Sequence, residues 1–276
     1  MVLGPDPAAS VLRSIPLPPL LKVRPVAPFI AAVITAAGSG SRIGGLKKEY
    51  RPLDGESDEE GRPLTILGAS VLAFAASPRI DILVITVPAD PERGEWAARE
   101  ALPRSLFAPG ASKRLLFVPG GPTRRSSVHH ALSLLEAYNP GCVLIHDGAR
   151  PWIDAGLIER IIDGTIAHGA VIPLLPLAET PKEIDGAGFI KRHLRRAFVG
   201  GAQTPQGFAF PRILRAHEQA AERELREGRD YTDDAEVWGE FAGPVAVIPG
   251  SPANRKISFP EDLPRFQASG ESGGSR

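Results

Sequence analysis

Ala36-Ala37-Gly38-Ser39-Gly40-Ser41-Arg42, with Lys47-Lys48-Glu49-Tyr50 close behind, is the stretch whose residue types most directly imply chemistry. Glycine tolerates positive φ and lets backbone come close to a ligand. Successive N–H groups in such a loop form a concavity for anions, and Arg42 and Lys48 add positive charge just downstream. The loop suits phosphates. It is neither a Walker A loop nor a G-x-G-x-x-G dinucleotide fingerprint, because Gly38, Gly40 and Gly44 are spaced G-x-G-x-x-x-G. Taken alone, the segment reads equally well as a glycine-rich turn without a ligand.

Five more clusters follow. Pro119-Gly120-Gly121 precedes Arg124, Arg125, Ser126 and Ser127 at the head of a helix-period segment, which suits a polar or anionic ligand or an ordinary helix cap. His146-Asp147-Gly148-Ala149-Arg150-Pro151 ends an apolar run. There Asp147 is in position for a ribose hydroxyl or Mg²⁺, and Arg150 for a ligand or for Asp147 itself. His146 is expected to be packed, since phosphoryl transfer needs no imidazole. A basic stretch (Lys191, Arg192, His193, Arg195, Arg196) leads into Gln203-Thr204-Pro205-Gln206-Gly207-Phe208. Tyr231-Thr232-Asp233-Asp234 precedes a short helix that at least one aspartate caps, and Asn254-Arg255-Lys256-Ile257 comes last. No Ser/His/Asp order, Cys/His metal cluster or glycosidase carboxylate pair is present. Phosphoryl or nucleotidyl transfer remains, a chemistry run by positioning and charge neutralisation.

The elements that must hold these clusters alternate in period. Apolar runs at 29–35, 82–87, 115–118, 143–145, 170–174 and 245–248 read as strands buried on both faces. Helix-period segments lie at 64–76, 123–135 and 155–167, the last capped by Asp154. Such alternation predicts an α/β fold with a doubly wound, mostly parallel Rossmann-like sheet, whose ligands bind beyond the carboxyl ends of the strands. The acidic insertion 54–61 reads as a solvated loop. Thirty-two basic residues balance thirty-two acidic ones, which argues against a general nucleic-acid surface, and no apolar run is long enough for a membrane span. The one cysteine, Cys142, reads as a buried thiol of a cytoplasmic protein. The Pro-rich residues 1–28 read as a disordered or surface-laid extension, 29–268 as a single domain, and 269–276 as a flexible Gly/Ser-rich tail.

The order A-A-G-S-G-S-R…K-K-E-Y, G-G-x-x-R-x-S-S-V, H-D-G-A-R-P, A-Q-T-P-Q-G-F, T-D-D-A and G-S-x-x-N-x-K-I resembles the 2-C-methyl-D-erythritol 4-phosphate cytidylyltransferases of the non-mevalonate isoprenoid pathway. Single motifs are shared with other nucleotidyltransferases, but six in order are specific. The resemblance implies transfer of a cytidylyl group from CTP to a small polyol phosphate, with Mg²⁺. It also implies a homodimer built through a β-arm at about 177–201. By that resemblance Ala36, Ala37, Gly38, Ser39, Gly40, Arg42 and Lys48 surround the triphosphate, and Gly121 and Ser127 read the base. Asp147 and Arg150 lie near the ribose and the metal, Thr204 near the acceptor, and Lys256 on the α-phosphate. Thr180 and Arg196 are offered to the acceptor phosphate by the neighbouring subunit's arm. Arg42, Lys48 and Lys256 are thereby the catalytic candidates, with Lys48 favoured over Lys47 by its spacing to Tyr50. Arg255, where the family has an apolar residue, is expected to add charge near the triphosphate. Two rivals are a cytidylyltransferase for another acceptor, such as ribitol 5-phosphate, and a non-catalytic nucleotide-binding protein.

Overall fold

The computed structural model describes residues 29–38, 47–259 and 262. In chain order the strands are β1 (Ile30–Thr35), β2 (Pro52–Ser57), β3 (Pro63–Thr65), β4 (Ile82–Val87), β5 (Arg114–Pro119) and β6 (Cys142–Asp147). They continue with β7 (Ala170–Pro176), β8 (Lys182–Ile184), β9 (Ile190–His193), β10 (Gly200–Ala202), β11 (Gln206–Ala209) and β12 (Ala246–Pro249). The helices are α1 (Ile66–Ala75), α2 (Gly94–Glu100), α3 (Arg124–Glu136), α4 (Ala155–His168), α5 (Arg212–Glu227) and α6 (Asp234–Phe241).

Eight strands form one sheet in the order β10-β7-β11-β6-β1-β4-β5, with β12 also paired to β7. β1 runs parallel to β4 and β6, β4 to β5, and β12 to β7. β11 lies antiparallel between β6 and β7, so the sheet is mixed but mostly parallel, an α/β fold as expected. The continuous apolar runs follow from burial on both faces. Ile30, Ala32 and Ile34 pack with Leu67, Val71 and Phe74 of α1 and with Leu157 and Ile161 of α4. Ala31 and Val33 pack with Val128 and Leu132 of α3, Ile213 of α5 and Trp238 of α6. Burying each large side chain of this kind contributes about 1.5–3 kcal/mol.

Register brings the ends of the central strands level. Thr35 is opposite both Thr86 and Asp147, and Val87 is opposite Pro119. Caps then fix the helices that start near this edge. Thr123 and Ser126 form a capping box on α3, and Asp154 Oδ1 accepts from Leu157 N at 2.8 Å on α4. α4 stops at Gly169, whose φ of 80° closes the helix in the left-handed conformation.

The acidic insertion departs from expectation. It is solvent-facing, but it is the β2–β3 hairpin rather than a loop. Asp58 accepts from the backbone of Glu60 and Arg62 and pairs with the Arg62 guanidinium, closing the turn. Leu53 anchors the base of the hairpin against Ile66 and Ile257. Within 177–201 the helix/strand rhythm breaks, as expected, into a separate β8–β9 hairpin. The 1–28 extension and the 269–276 tail lie outside the described residues.

Candidate active site

A cleft of about 500 Å³ opens at the carboxyl ends of β1, β4, β5 and β6. Ala37 and Gly38 after β1, Thr86 of β4, Gly121 and Arg124 after β5, and Asp147 of β6 all line it. Lys47, Lys48, Glu49 and Lys256 complete the charged part of the wall. Segments far apart in sequence thus deliver four cationic side chains and two carboxylates to one cavity.

Each strand end is pinned. Ala36 N donates to Thr86 Oγ1 at 3.1 Å, and Tyr50 Oη donates to the Ala36 carbonyl. Lys47 Nζ reaches the Ala37 carbonyl at 3.0 Å. After β5, the Gly121 N–H donates to Ser127 Oγ at 3.0 Å, and that hydroxyl donates to the Thr123 carbonyl. Gly120 is required by close approach: a Cβ there would fall 2.2 Å from Ala37 Cβ.

Asp147 is the electrostatic centre. Lys256 Nζ lies 2.9 Å from Oδ2, Arg150 Nε 3.5 Å from the same oxygen, and Arg124 Nε 3.4 Å from Oδ1. Burial alone would raise its pKa, but Arg124, Lys256 and Arg150 outweigh that and hold the carboxyl far below the usual aspartate range. Burial pushes Glu49 up instead, against the lowering pull of Lys48, Lys47 and Lys256. Lys48 Nζ donates to the Ile257 carbonyl at 2.8 Å and sits 3.9 Å from Glu49.

The segment that carries Lys256 is held by Asn254. Its amide donates to the Thr204 carbonyl at 2.7 Å, and its own carbonyl accepts from Arg150 Nη1 and Gln203 Nε2. Ile257 N then donates to the Ala149 carbonyl, and its buried side chain leaves Lys256 at Asp147. Thr204 is buried beneath Asp147, accepting from the Asp147 N–H at 3.1 Å and lying 3.1 Å from His146 Nδ1. His146 is fully buried and pushed down to about 4 by burial, a packed residue as expected.

Of the sequence candidates, Ala37, Gly38, Lys48, Gly121, Ser127, Asp147 and Lys256 line the cleft, and buried Ala36 lies just behind. Ser39, Gly40 and Arg42 lie outside the described residues. Arg150 and Thr204 brace Asp147 and do not line the cleft. Thr180 and Arg196 are exposed in the 177–201 segment, where Arg196 Nη1 donates to the Ala178 carbonyl; neither reaches the cleft of its own chain. The Arg255 guanidinium stacks 4.4 Å from the Trp152 ring centroid, beside the cleft-lining Lys256 but not itself in the cleft wall. Sequence reasoning placed Arg124 in a cluster suited to an anionic ligand and Glu49 in the basic motif, but assigned neither a role of its own. Asp233 is the helix cap, accepting from Glu236 N, whereas Asp234 pairs with Arg124 at 2.8 Å.

A mostly parallel α/β sheet with glycine turns at the ends of β1 and β5, a strand-end aspartate and converging cations has the build of a nucleotidyltransferase. The family model for IspD, 2-C-methyl-D-erythritol 4-phosphate cytidylyltransferase, matches residues 30–269, and the chain belongs to that family. It is 36% identical over 239 residues to the bifunctional enzyme IspD/IspF of Mesorhizobium japonicum, covering 85% of this chain and 53% of that protein. It is 39% identical over 236 residues to the protein of the same name from Solidesulfovibrio magneticus, covering 84% and 54%. The chain therefore spans about half the length of the curated relatives it matches. Among solved structures it resembles 4-diphosphocytidyl-2C-methyl-D-erythritol synthase of Anaerococcus prevotii, with a TM-score of 0.68 and 27% identity over 86% of this chain and 96% of that one.

Proposed function

We propose that this chain transfers a cytidylyl group from CTP to 2-C-methyl-D-erythritol 4-phosphate, releasing pyrophosphate, in isoprenoid precursor synthesis. The observation that carries this reading is the convergence of Lys256 and Arg124 on Asp147 at the ends of the parallel strands, with Lys48 in the same cleft, in a chain of this family. The acceptor phosphate oxygen attacks the α-phosphorus in line; the new P–O bond forms as the bond to the β-phosphate bridging oxygen breaks. Charge builds on the α-phosphate oxygens and on the leaving pyrophosphate, where Lys48, Lys256 and Arg42 neutralise it. Preorganised cations act strongly here because Lys48, Arg124 and Lys256 are partly withdrawn from solvent, beside the buried Glu49, Ser127 and Asp147. Ala36 to Gly40 cradle the triphosphate, and Gly121 and Ser127 face the cytosine.

The donor set fits Mg²⁺ in the form usual for phosphoryl transfer, one protein carboxylate with the remaining ligands from substrate phosphates and water. Asp147 would be that carboxylate, and it stays ionised at neutral pH. Among the described residues no group of three or more His, Cys, Asp or Glu forms a metal site by itself, which agrees with a metal that arrives with the nucleotide. When bound, the ion adds charge neutralisation on the phosphates.

The 177–201 segment supports a homodimer. Ile184, Phe189, Ile190 and Phe198 are 53–78% exposed, an apolar surface suited to a second copy. Thr180 and Arg196, which do not reach their own cleft, would then serve the acceptor phosphate of the partner. No described helix is long and apolar enough to cross a membrane, and a cytoplasmic setting suits the buried free thiol of Cys142. An acceptor panel with CTP and Mg²⁺ tests the substrate. Turnover with methylerythritol phosphate well above ribitol 5-phosphate is expected; the reverse preference moves the chain to the other acceptor, and CTP binding without turnover makes it a binding protein.

A further inference from the structure

Arg124 is the first residue of α3, lines the cleft, and spans two carboxylates. Its Nε is 3.4 Å from Asp147 Oδ1, while its Nη1 is 2.8 Å from Asp234 Oδ2, so the closer partner is the one that does not line the cleft. Asp234 is 1% exposed, in the first turn of α6, and its other oxygen is 3.3 Å from Nε2 of His217, which is wholly buried on α5. Asp147, by contrast, already has Lys256 and Arg150. A guanidinium is a rigid planar fork, so fixing one edge on a buried carboxylate sets where its other donors point. Burial favours a neutral Asp234, yet the Arg124 and His217 contacts hold it ionised.

We infer that Asp234 is a positioning residue for the cytidylyl-transfer reaction: from behind the cleft it holds Arg124 in place to meet the nucleotide phosphates, and keeps it from collapsing onto Asp147. His217 supports it from the second row. This rests on the cytidylyl-transfer reading and adds to it a residue outside the cleft that sets nucleotide affinity. Helices α5 and α6 thereby do more than cover one face of the sheet, since they carry the chain His217–Asp234–Arg124–Asp147 to the reacting edge.

The test is steady-state kinetics of Asp234→Asn, Arg124→Met and the double variant, with wild type in the same assay and thermal melts alongside. Asp234→Asn should raise KM for CTP about tenfold, the scale of one charge-assisted contact, and leave KM for the acceptor unchanged. The double variant should be no worse than Arg124→Met alone, because Asp234 acts only through Arg124. If Asp234→Asn is too unstable to assay, the double variant strands no charge, and its comparison with Arg124→Met decides the matter. A lower kcat with unchanged KM for CTP, or additive losses, assigns Asp234 to stability alone and overturns the inference. Wild type without pyrophosphate release would overturn the functional reading itself, and the inference with it.

Discussion

Gly120→Ala should damage catalysis far more than folding. The added Cβ would fall 2.2 Å from Ala37 Cβ and 2.9 Å from Ser127 Oγ, where ordinary contact begins near 3.4 Å. The Ser127 hydroxyl can rotate away, at the loss of the acceptor for the Gly121 N–H. Ala37 cannot rotate, so the ends of β1 and β5 must part by roughly 1 Å. Overpacking of this size costs about 1–3 kcal/mol of stability. A misplacement of about 1 Å in a preorganised site costs about 100-fold in rate. Urea unfolding and kcat/KM for CTP should therefore show a modest shift beside a loss of about two orders of magnitude. Adding Ala37→Gly removes the obstructing methyl group and should recover most of the activity. A Gly120→Ala enzyme with wild-type kcat/KM, or a double variant no better than the single, would refute the reasoning that the two glycine turns define the cleft by their contact.

Other outcomes follow from the same geometry. Lys48→Ala and Lys256→Ala should each lower kcat by about 100-fold or more while circular dichroism stays unchanged, the scale of a lost stabilising donor; a full rate from either removes it from the reaction. Mixing inactive Arg196→Ala and Lys256→Ala chains should recover activity if the arm serves the partner's cleft. Half the dimers are then mixed and each has one intact site, so recovery should approach roughly a quarter of wild type; none, despite proven exchange, returns Arg196 to its own subunit. Burial lowers His146 from 6.5 to about 4, so between those values the unfolded chain takes a proton that the fold refuses. Stability should fall as pH drops through that window, by up to about 3 kcal/mol, and His146→Asn should flatten the slope of urea midpoint against pH.

The sheet was legible where its chemistry was local. Strands buried on both faces must be apolar throughout, which is why 82–87 coincides with β4 and why 143–145 lies inside β6. β11 was not, because Gln206-Gly207-Phe208-Ala209 has no apolar run; its neighbours β6 and β7 supply the burial. α5 was passed over although its buried Ile213, Leu214, Ala216 and Ala220 recur at helix period against a charged opposite face. In the site, motif order led to the strand ends that line the cleft, but not to the division of contacts among neighbours. Asp233 and Asp234 look alike at a helix start, and only the placement of α6 against α3 sends one to a backbone N–H and the other to Arg124. Likewise Thr204 and Arg150 stand in motifs beside the cleft, yet packing turns them to brace Asp147.

The most direct test of the account is pyrophosphate release by the purified chain with methylerythritol phosphate, Mg²⁺ and each of CTP, UTP, ATP and GTP, with the product identified by mass. In the proposed function Gly121 and Ser127 of the cleft wall face the cytosine, so CTP should far outperform both purine nucleotides, with UTP next, and the product should carry one cytidylyl group per pyrophosphate released. Equal turnover with ATP, or no pyrophosphate from CTP in the presence of acceptor, would contradict it.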